Sequence, residues 1–284
     1  KLFIDLTRLK KPIGYMLLFW PCAWGLTLAY NFSENLYVYF FYLILFFLGS
    51  ILMRSAGCIV NDIFDRKFDK EVLRTKDRPI ASGKISVKNG LFYACTLCVL
   101  AFLILINFNY FTILVALASM PLAFTYPLMK RYTYWPQFFL GVTFNYGLIL
   151  GWTSIANQLD LIPIIFYFGA IFWTLGYDTI YGYQDIKDDE IIGLKSTSIK
   201  FKGTAKSFLI TCYLILTFSL IIGGYLMNFD LLYFLFLIIP TAHLFLYQIK
   251  TFNLNDPNTC LKIFKNNNYF GLIIFINIFI GKIL

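Results

Sequence analysis

Residues 37–69 read YVYFFYLILFFLGSILMRSAGCIVNDIFDRKFD, a long apolar run that ends in a cluster of carboxylates. A transmembrane helix needs roughly 20 mainly apolar residues to cross a hydrocarbon core of about 30 Å, and residues 37–60 meet that length. Outward from this stretch, further apolar runs lie at 14–33, 90–107, 110–128, 136–156, 161–181, 206–227, 230–249 and 269–284. The last is short and carries Lys282. None alternates with period two, so a membrane barrel is excluded. Of the 284 residues 59% are hydrophobic and 14% charged, and the mean hydropathy is +0.70, too little polar surface to cover a soluble globule. The sequence therefore predicts an all-α, polytopic membrane bundle of about nine transmembrane helices. The first 13 residues are read as a polar lead-in without a secretory signal.

Lys and Arg accumulate on the side of a membrane that is not translocated. Assigned alternately, the loops of one side hold Lys1, Arg8, Lys10, Lys11, the basic residues from Arg66 to Lys88, Lys130, Arg131, those from Lys187 to Lys206, and Lys250, Lys262 and Lys265. The opposite loops, Asn31 to Leu36, Asn107 to Asn109, Asn157 to Asp160 and Met227 to Asp230, hold none. This places the N-terminus and the long loops in the cytoplasm. The net charge of +9 follows from that topology and from attraction to anionic lipid, with no need for nucleic acid. Six cysteines form no disulfide-like framework; Cys95-Thr96-Leu97-Cys98 and the lone His243 are read as packing residues inside apolar helices.

Two cytoplasmic loops, 61–89 and 182–205, are long enough to act as lids or binding elements, and each begins with an acidic cluster. Asp65, Lys67 and Asp69 recur at a shift of 120 residues as Asp185, Lys187 and Asp189. The pattern suggests a single membrane-embedded domain over 1–284 with pseudo-repeats at about 14–131 and 136–249. Asn61, Asp65 and Asp69 step by four, and so do Asp185 and Asp189, which places each set on one helix face. Such stripes offer hard oxygen ligands for Mg²⁺, with water and substrate phosphates completing an octahedron. Arg54 precedes Asn61 by two turns, and Asp178 precedes Asp185 likewise. An intramembrane charge faces a partner or a cavity, so Arg54 and Asp178 pair with each other, line a substrate pocket below the metals, or do both.

The residues Asn61-Asp62-x-x-Asp65-Arg66-Lys67-x-Asp69, Arg74 to Gly83, Tyr126-Pro127-Leu128-Met129-Lys130-Arg131 and Tyr177-Asp178-Thr179-x-Tyr181 resemble the UbiA-type intramembrane aromatic prenyltransferases. Leu9 to Gly14 with Trp20-Pro21 are similar to the branch that acts on 4-hydroxybenzoate. The resemblance implies a bundle whose central cavity opens sideways to lipid beneath two helical cap loops. It implies Asp65, Asp69, Asp185 and Asp189 as metal-facing catalytic carboxylates assisted by Asn61, with Asp62 peripheral. Arg78 and Lys130 match positions that neutralise diphosphate, Arg54 matches one near the aromatic acceptor, and Tyr181 belongs to the substrate-binding set. Asp178 is a candidate proton acceptor. The implied reaction is Mg²⁺-dependent transfer of a polyprenyl group to the ring carbon ortho to the hydroxyl of 4-hydroxybenzoate, in ubiquinone biosynthesis at a bacterial inner membrane. Related enzymes use haem, naphthoate or homogentisate acceptors. From another class, a membrane transporter would share the hydropathy, but no broken helix is expected.

Overall fold

The computed structural model describes residues 2–72 and 74–284; Lys1, counted above with the cytoplasmic basic residues, lies outside them. The chain is helical with no strand among the described residues. In order, the helices are α1 (Leu2–Thr7), α2 (Ile13–Ala29), α3 (Leu36–Asp69), α4 (Val87–Leu105), α5 (Tyr110–Thr125), α6 (Met129–Tyr132), α7 (Pro136–Ala156) and α8 (Leu161–Gly182). There follow α9 (Ile186–Ile192), α10 (Thr197–Lys200), α11 (Ala205–Leu226), α12 (Leu231–Phe236), α13 (Ile238–Ala242) and α14 (Pro257–Ile283). Eight helical stretches among the described residues are long and apolar enough to cross a bilayer, and the shorter apolar α2 accompanies them. The chain is an integral membrane protein. Tyr37, Phe40, Ile44 and Leu48 of α3, Phe92 and Val99 of α4 and Phe218 of α11 are exposed, as side chains solvated by lipid are.

Inside, the helices meet through small residues, because in lipid close approach of backbones replaces hydrophobic collapse as the adhesive. The α2–α7 crossing is the tightest: a Cβ at Gly25 would lie 1.9 Å from the Leu148 carbonyl oxygen, and one at Gly151 would lie 2.3 Å from that of Cys22. Buried polar side chains are matched across helices. The Trp173 indole donates to Asn267 Oδ1 at 2.8 Å, Gln248 donates to the same oxygen at 3.1 Å, and Tyr213 donates to Gln248 at 2.6 Å. This chain of bonds ties α8, α11 and α14 where water is absent.

The structure corrects several expected boundaries. The first acidic cluster is not in a loop: α3 runs unbroken to Asp69, so the first cap loop begins at Lys70. The second stripe is not continuous with its helix, since α8 ends at Gly182 and Asp185 stands at the entry to α9. Asp178 and Asp185 therefore do not share one helical face. The last span starts at Pro257 rather than 269, capped by Asp256, whose carboxylate accepts from the Asn258 and Thr259 amides; Asn266 to Asn268 masked it because their amides are polar, although Asn267 is fully buried and bonded. The lead-in is not wholly polar either: α1 exposes Leu2, Phe3 and Ile4 and buries Leu6 against Ala56 and Ile59 of α3. The span 231–249 is broken into α12, α13 and a π-helical turn over His243–Ile249, where Gln248 reaches the His243 ring nitrogen at 3.4 Å. All six cysteines are free.

Candidate active site

The C-terminal end of α3 carries Asn61, Asp65 and Asp69 on one face because its helix persists through the charged segment. Against this face the chain sets the end of α8, the α9 entry, α6 and the loop after Lys70. The result is a polar cavity of about 250 Å³ lined by Asn61, Asp65, Asp69, Asp178, Tyr181, Asp185 and Asp189, and by Arg74, Arg78, Lys130 and Lys195. Of the candidate site residues named from the sequence, all but Arg54 and the peripheral Asp62 lie in its wall.

Opposite charges interlock around it. Asp65 Oδ2 accepts from Lys130 at 2.5 Å. Arg78 donates to both oxygens of Asp69, at 2.9 and 2.8 Å, and pairs with Asp62 at 3.3 Å. Arg8 grips Asp62 from the other side at 2.5 Å. Asp62 is thus a buried linchpin between α1, α3 and the first cap loop, outside the cavity wall. Arg74 is ion-paired with Asp185 through two donors, and its guanidinium lies 5.9 Å from the centre of the Tyr181 ring. Lys11, near Arg8, Arg74 and Arg78, has its ammonium pKa lowered, first by burial and then by those like charges. A field of that sign favours an anion.

Several carboxylate oxygens accept no hydrogen bond, although Arg131 stands 3.7 Å from Asp65 Oδ1. Asp65 Oδ1 is buried without a hydrogen-bond donor, and among the described residues Asp178 and Asp189 enter no ion pair. Burial, and then the charge of Asp185, push the Asp189 carboxyl up to about 6. No three acidic, histidine or cysteine side chains converge on one point among the described residues. The donor set therefore suits an ion held by one or two carboxylates and completed by phosphate and water, as Mg²⁺ is, better than a closed protein cage.

Below the polar cavity lies an apolar one of about 390 Å³, walled by α2, α3, α4, α5 and α7. Phe102 and Leu117 line it and are also exposed, so its side between α4 and α5 reaches the lipid-facing surface. Arg54 lines this cavity, not the polar one. Its guanidinium stands 5.4 Å from the centre of the Phe144 ring and packs on Gly14, where a Cβ would lie 2.7 Å from Arg54 Nε. The Arg54–Asp178 ion pair offered as one alternative is not formed; the two groups belong to the walls of adjacent cavities. Among the described residues, Tyr126 alone lines both.

Sequence reasoning passed over Arg74, Tyr126 and Lys195. Arg74 and Tyr126 stand in motifs already singled out, but nothing in their spacing distinguishes a cavity-facing base or ring from a solvated one. Lys195 is held near α6 by its amide, which donates to the Lys130 carbonyl at 2.9 Å, a contact with no local signal.

An acid- and base-lined cavity at the membrane surface, opening onto a greasy one within the bilayer, defines an integral membrane protein built for a substrate with a charged head and an apolar tail. The chain belongs to the UbiA prenyltransferase family, whose model matches residues 18–278. It is 42% identical over 282 residues to the mitochondrial 4-hydroxybenzoate polyprenyltransferase of Bos taurus, a match covering 99% of this chain and 75% of that one. It is 40% identical over 284 residues to 4-hydroxybenzoate geranyltransferase 2 of Lithospermum erythrorhizon, covering 99% and 90%. Among solved structures it resembles a UbiA homolog from Archaeoglobus fulgidus bound to GPP and Mg²⁺, with a TM-score of 0.73, 18% identity and full coverage of both chains. The UbiA homolog from Aeropyrum pernix K1 gives 0.69 at 22% identity, covering 92% of this chain and 98% of that one.

Proposed function

We propose that this chain transfers a polyprenyl group from its diphosphate to the carbon ortho to the hydroxyl of 4-hydroxybenzoate, with Mg²⁺, releasing diphosphate, as a step of ubiquinone biosynthesis. The observation that carries this reading is the junction at Tyr126 of a charged cavity with an apolar one that contains a lone arginine. The names of the full-length relatives support the acceptor.

The donor's diphosphate lies among Arg74, Arg78, Lys130 and Lys195, and its tail descends into the apolar cavity. Asp65, Asp69, Asp185 and Asp189, with Asn61, are the residues that would hold Mg²⁺, one or two carboxylates to an ion, and the ion would supply Lewis-acid neutralisation of the departing negative charge. The basic side chains stabilise the same charge when the allylic C–O bond breaks, Arg74, Arg78 and Lys130 being kept at the cavity wall by Asp185, Asp69 and Asp65. Arg54 anchors the acceptor's carboxylate by charge-assisted hydrogen bonds and so turns the ring toward the allylic carbon. Ring attack forms the new C–C bond, and the ring proton leaves to Asp178. The apolar walls keep out water that would otherwise capture the allylic cation.

The same reading takes the chain as one domain of two four-helix halves, about 14–131 and 136–249, with a ninth helix. It sets the protein in the inner membrane of a bacterium or of a mitochondrion, with the N-terminus and cap loops on the side that is not translocated, for the charge asymmetry given above.

The test is an acceptor panel. Membranes containing the chain receive geranyl diphosphate and Mg²⁺ with 4-hydroxybenzoate, dihydroxynaphthoate or homogentisate. Prenylation of 4-hydroxybenzoate in preference to the others is expected; preference for another acceptor would overturn the substrate, and transfer to none would overturn the reaction.

A further inference from the structure

Most intramembrane glycines here have a packing reason: at Gly25, Gly147 and Gly151 a Cβ would collide with a backbone or a sulfur at 1.9, 2.4 and 2.3 Å. Gly49 has none. A Cβ there would meet nothing within 4 Å, its φ is not in the left-handed region, and it sits inside the unbroken helix α3, where glycine is weaker than alanine. What it borders is the apolar cavity.

Gly49 precedes Asn61 by twelve residues, so at 1.5 Å per residue it lies about 18 Å below the polar cavity. One turn further along α3, Phe46 closes on Phe108 with ring centres 4.8 Å apart, and both line the cavity's far end. A side chain at 49 would therefore fill the passage short of that end while leaving the upper part, beside Arg54 and Tyr126, untouched.

We propose that Gly49 sets the length of donor tail this chain accepts, its missing side chain leaving the lower cavity open to the distal isoprene units. This rests on the donor reading given above. Short donors end above Gly49; long ones must pass it. The replacements Gly49→Ala, Gly49→Leu and Gly49→Phe add bulk in steps into open space and favour the helix, so the variants are expected to fold at least as well as the parent. Leu48→Phe, at the same depth but on the exposed face, is the control.

The experiment compares thermal stabilisation of the purified protein by geranyl and by octaprenyl diphosphate with Mg²⁺, and transfer from each donor to 4-hydroxybenzoate. Filling a shaped apolar site discriminates by about tenfold or more. Gly49→Phe should lower kcat/KM for the octaprenyl donor by about that factor relative to geranyl and lose stabilisation by the octaprenyl donor, with Leu48→Phe behaving as the parent. An unchanged octaprenyl-to-geranyl ratio in Gly49→Phe, or equal loss of both donors, would overturn the role. If the parent is stabilised by both donors yet prenylates no 4-hydroxybenzoate, the acceptor reading falls while the stabilisation data still decide Gly49. If neither donor stabilises the parent, both fall.

Discussion

Burial, and then the neighbouring Asp185, raise the Asp189 carboxyl to about 6, and no base pairs with it among the described residues. A metal ligand must be ionised, so at subsaturating Mg²⁺ transfer should rise about tenfold per pH unit below 6 and level off above it, as one proton is lost. A pH profile of the Mg²⁺-dependent rate measures this, and a flat line from pH 5 to 7 would contradict it. The shift has the opposite sign for folding: the unfolded carboxyl ionises at its ordinary 3.8, so holding Asp189 charged in the folded protein is a cost that grows as pH rises from there toward 6. Arg54 stands apart from this group, in the apolar cavity beside Phe144. Arg54→Ala should raise the KM for 4-hydroxybenzoate by about tenfold or more, the weight of a charge-assisted bond, with the KM for the donor little changed. Equal rises in both would reassign Arg54 to general packing. At this scale the motif residues were legible in the sequence because their spacing is helical, whereas Arg74 and Lys195 join the site through contacts between distant loops, which spacing does not encode.

The elements place these residues by two different devices. α3 carries its acids by staying helical for 34 residues, which the step of four from Asn61 to Asp69 foretold. The second set is placed by a break after Gly182 and a new short helix, and the helix-like steps of seven and four from Asp178 to Asp185 to Asp189 concealed it, because the step of four belongs to the new helix and its cap while the step of seven crosses the break. The last helix was under-read for the reverse reason: Asn266 to Asn268 look like a loop until their partners on other helices are known. Under the site, the α2–α7 crossing brings two helix backbones into direct contact at Gly25 and Gly151. Gly151→Leu should lower thermal stability by about 3 kcal/mol or prevent folding, since overpacking against backbone costs at least 1–3 kcal/mol. A melting temperature equal to the parent's in detergent would show that the crossing gives way freely.

At the scale of the whole molecule, the basic loops gather the caps of both acidic sets on one face, and the exterior of the spans is largely apolar, as at Phe40, Ile44, Phe92 and Phe218. The apolar runs and this asymmetry were plain in the order of the residues along the sequence; the two stacked cavities were not, since Phe and Leu facing a cavity look the same in sequence as those facing lipid. Membrane-impermeant thiol labelling of Lys76→Cys, Lys200→Cys and Asn228→Cys in sealed vesicles checks the topology. The first two should react from the same side and the third only from the other; labelling of all three from one side would overturn it.

The central claim is that the carboxylates around the polar cavity serve Mg²⁺-dependent prenyl transfer to 4-hydroxybenzoate. Membranes bearing the parent, Asp65→Asn or Asp185→Asn, given geranyl diphosphate and radiolabelled 4-hydroxybenzoate with Mg²⁺ or with EDTA, measure it directly. The account predicts prenylated product from the parent with Mg²⁺, none with EDTA, and a loss of about a hundredfold or more in either variant with normal membrane insertion. Product that survives EDTA, or full activity in both variants, would contradict it.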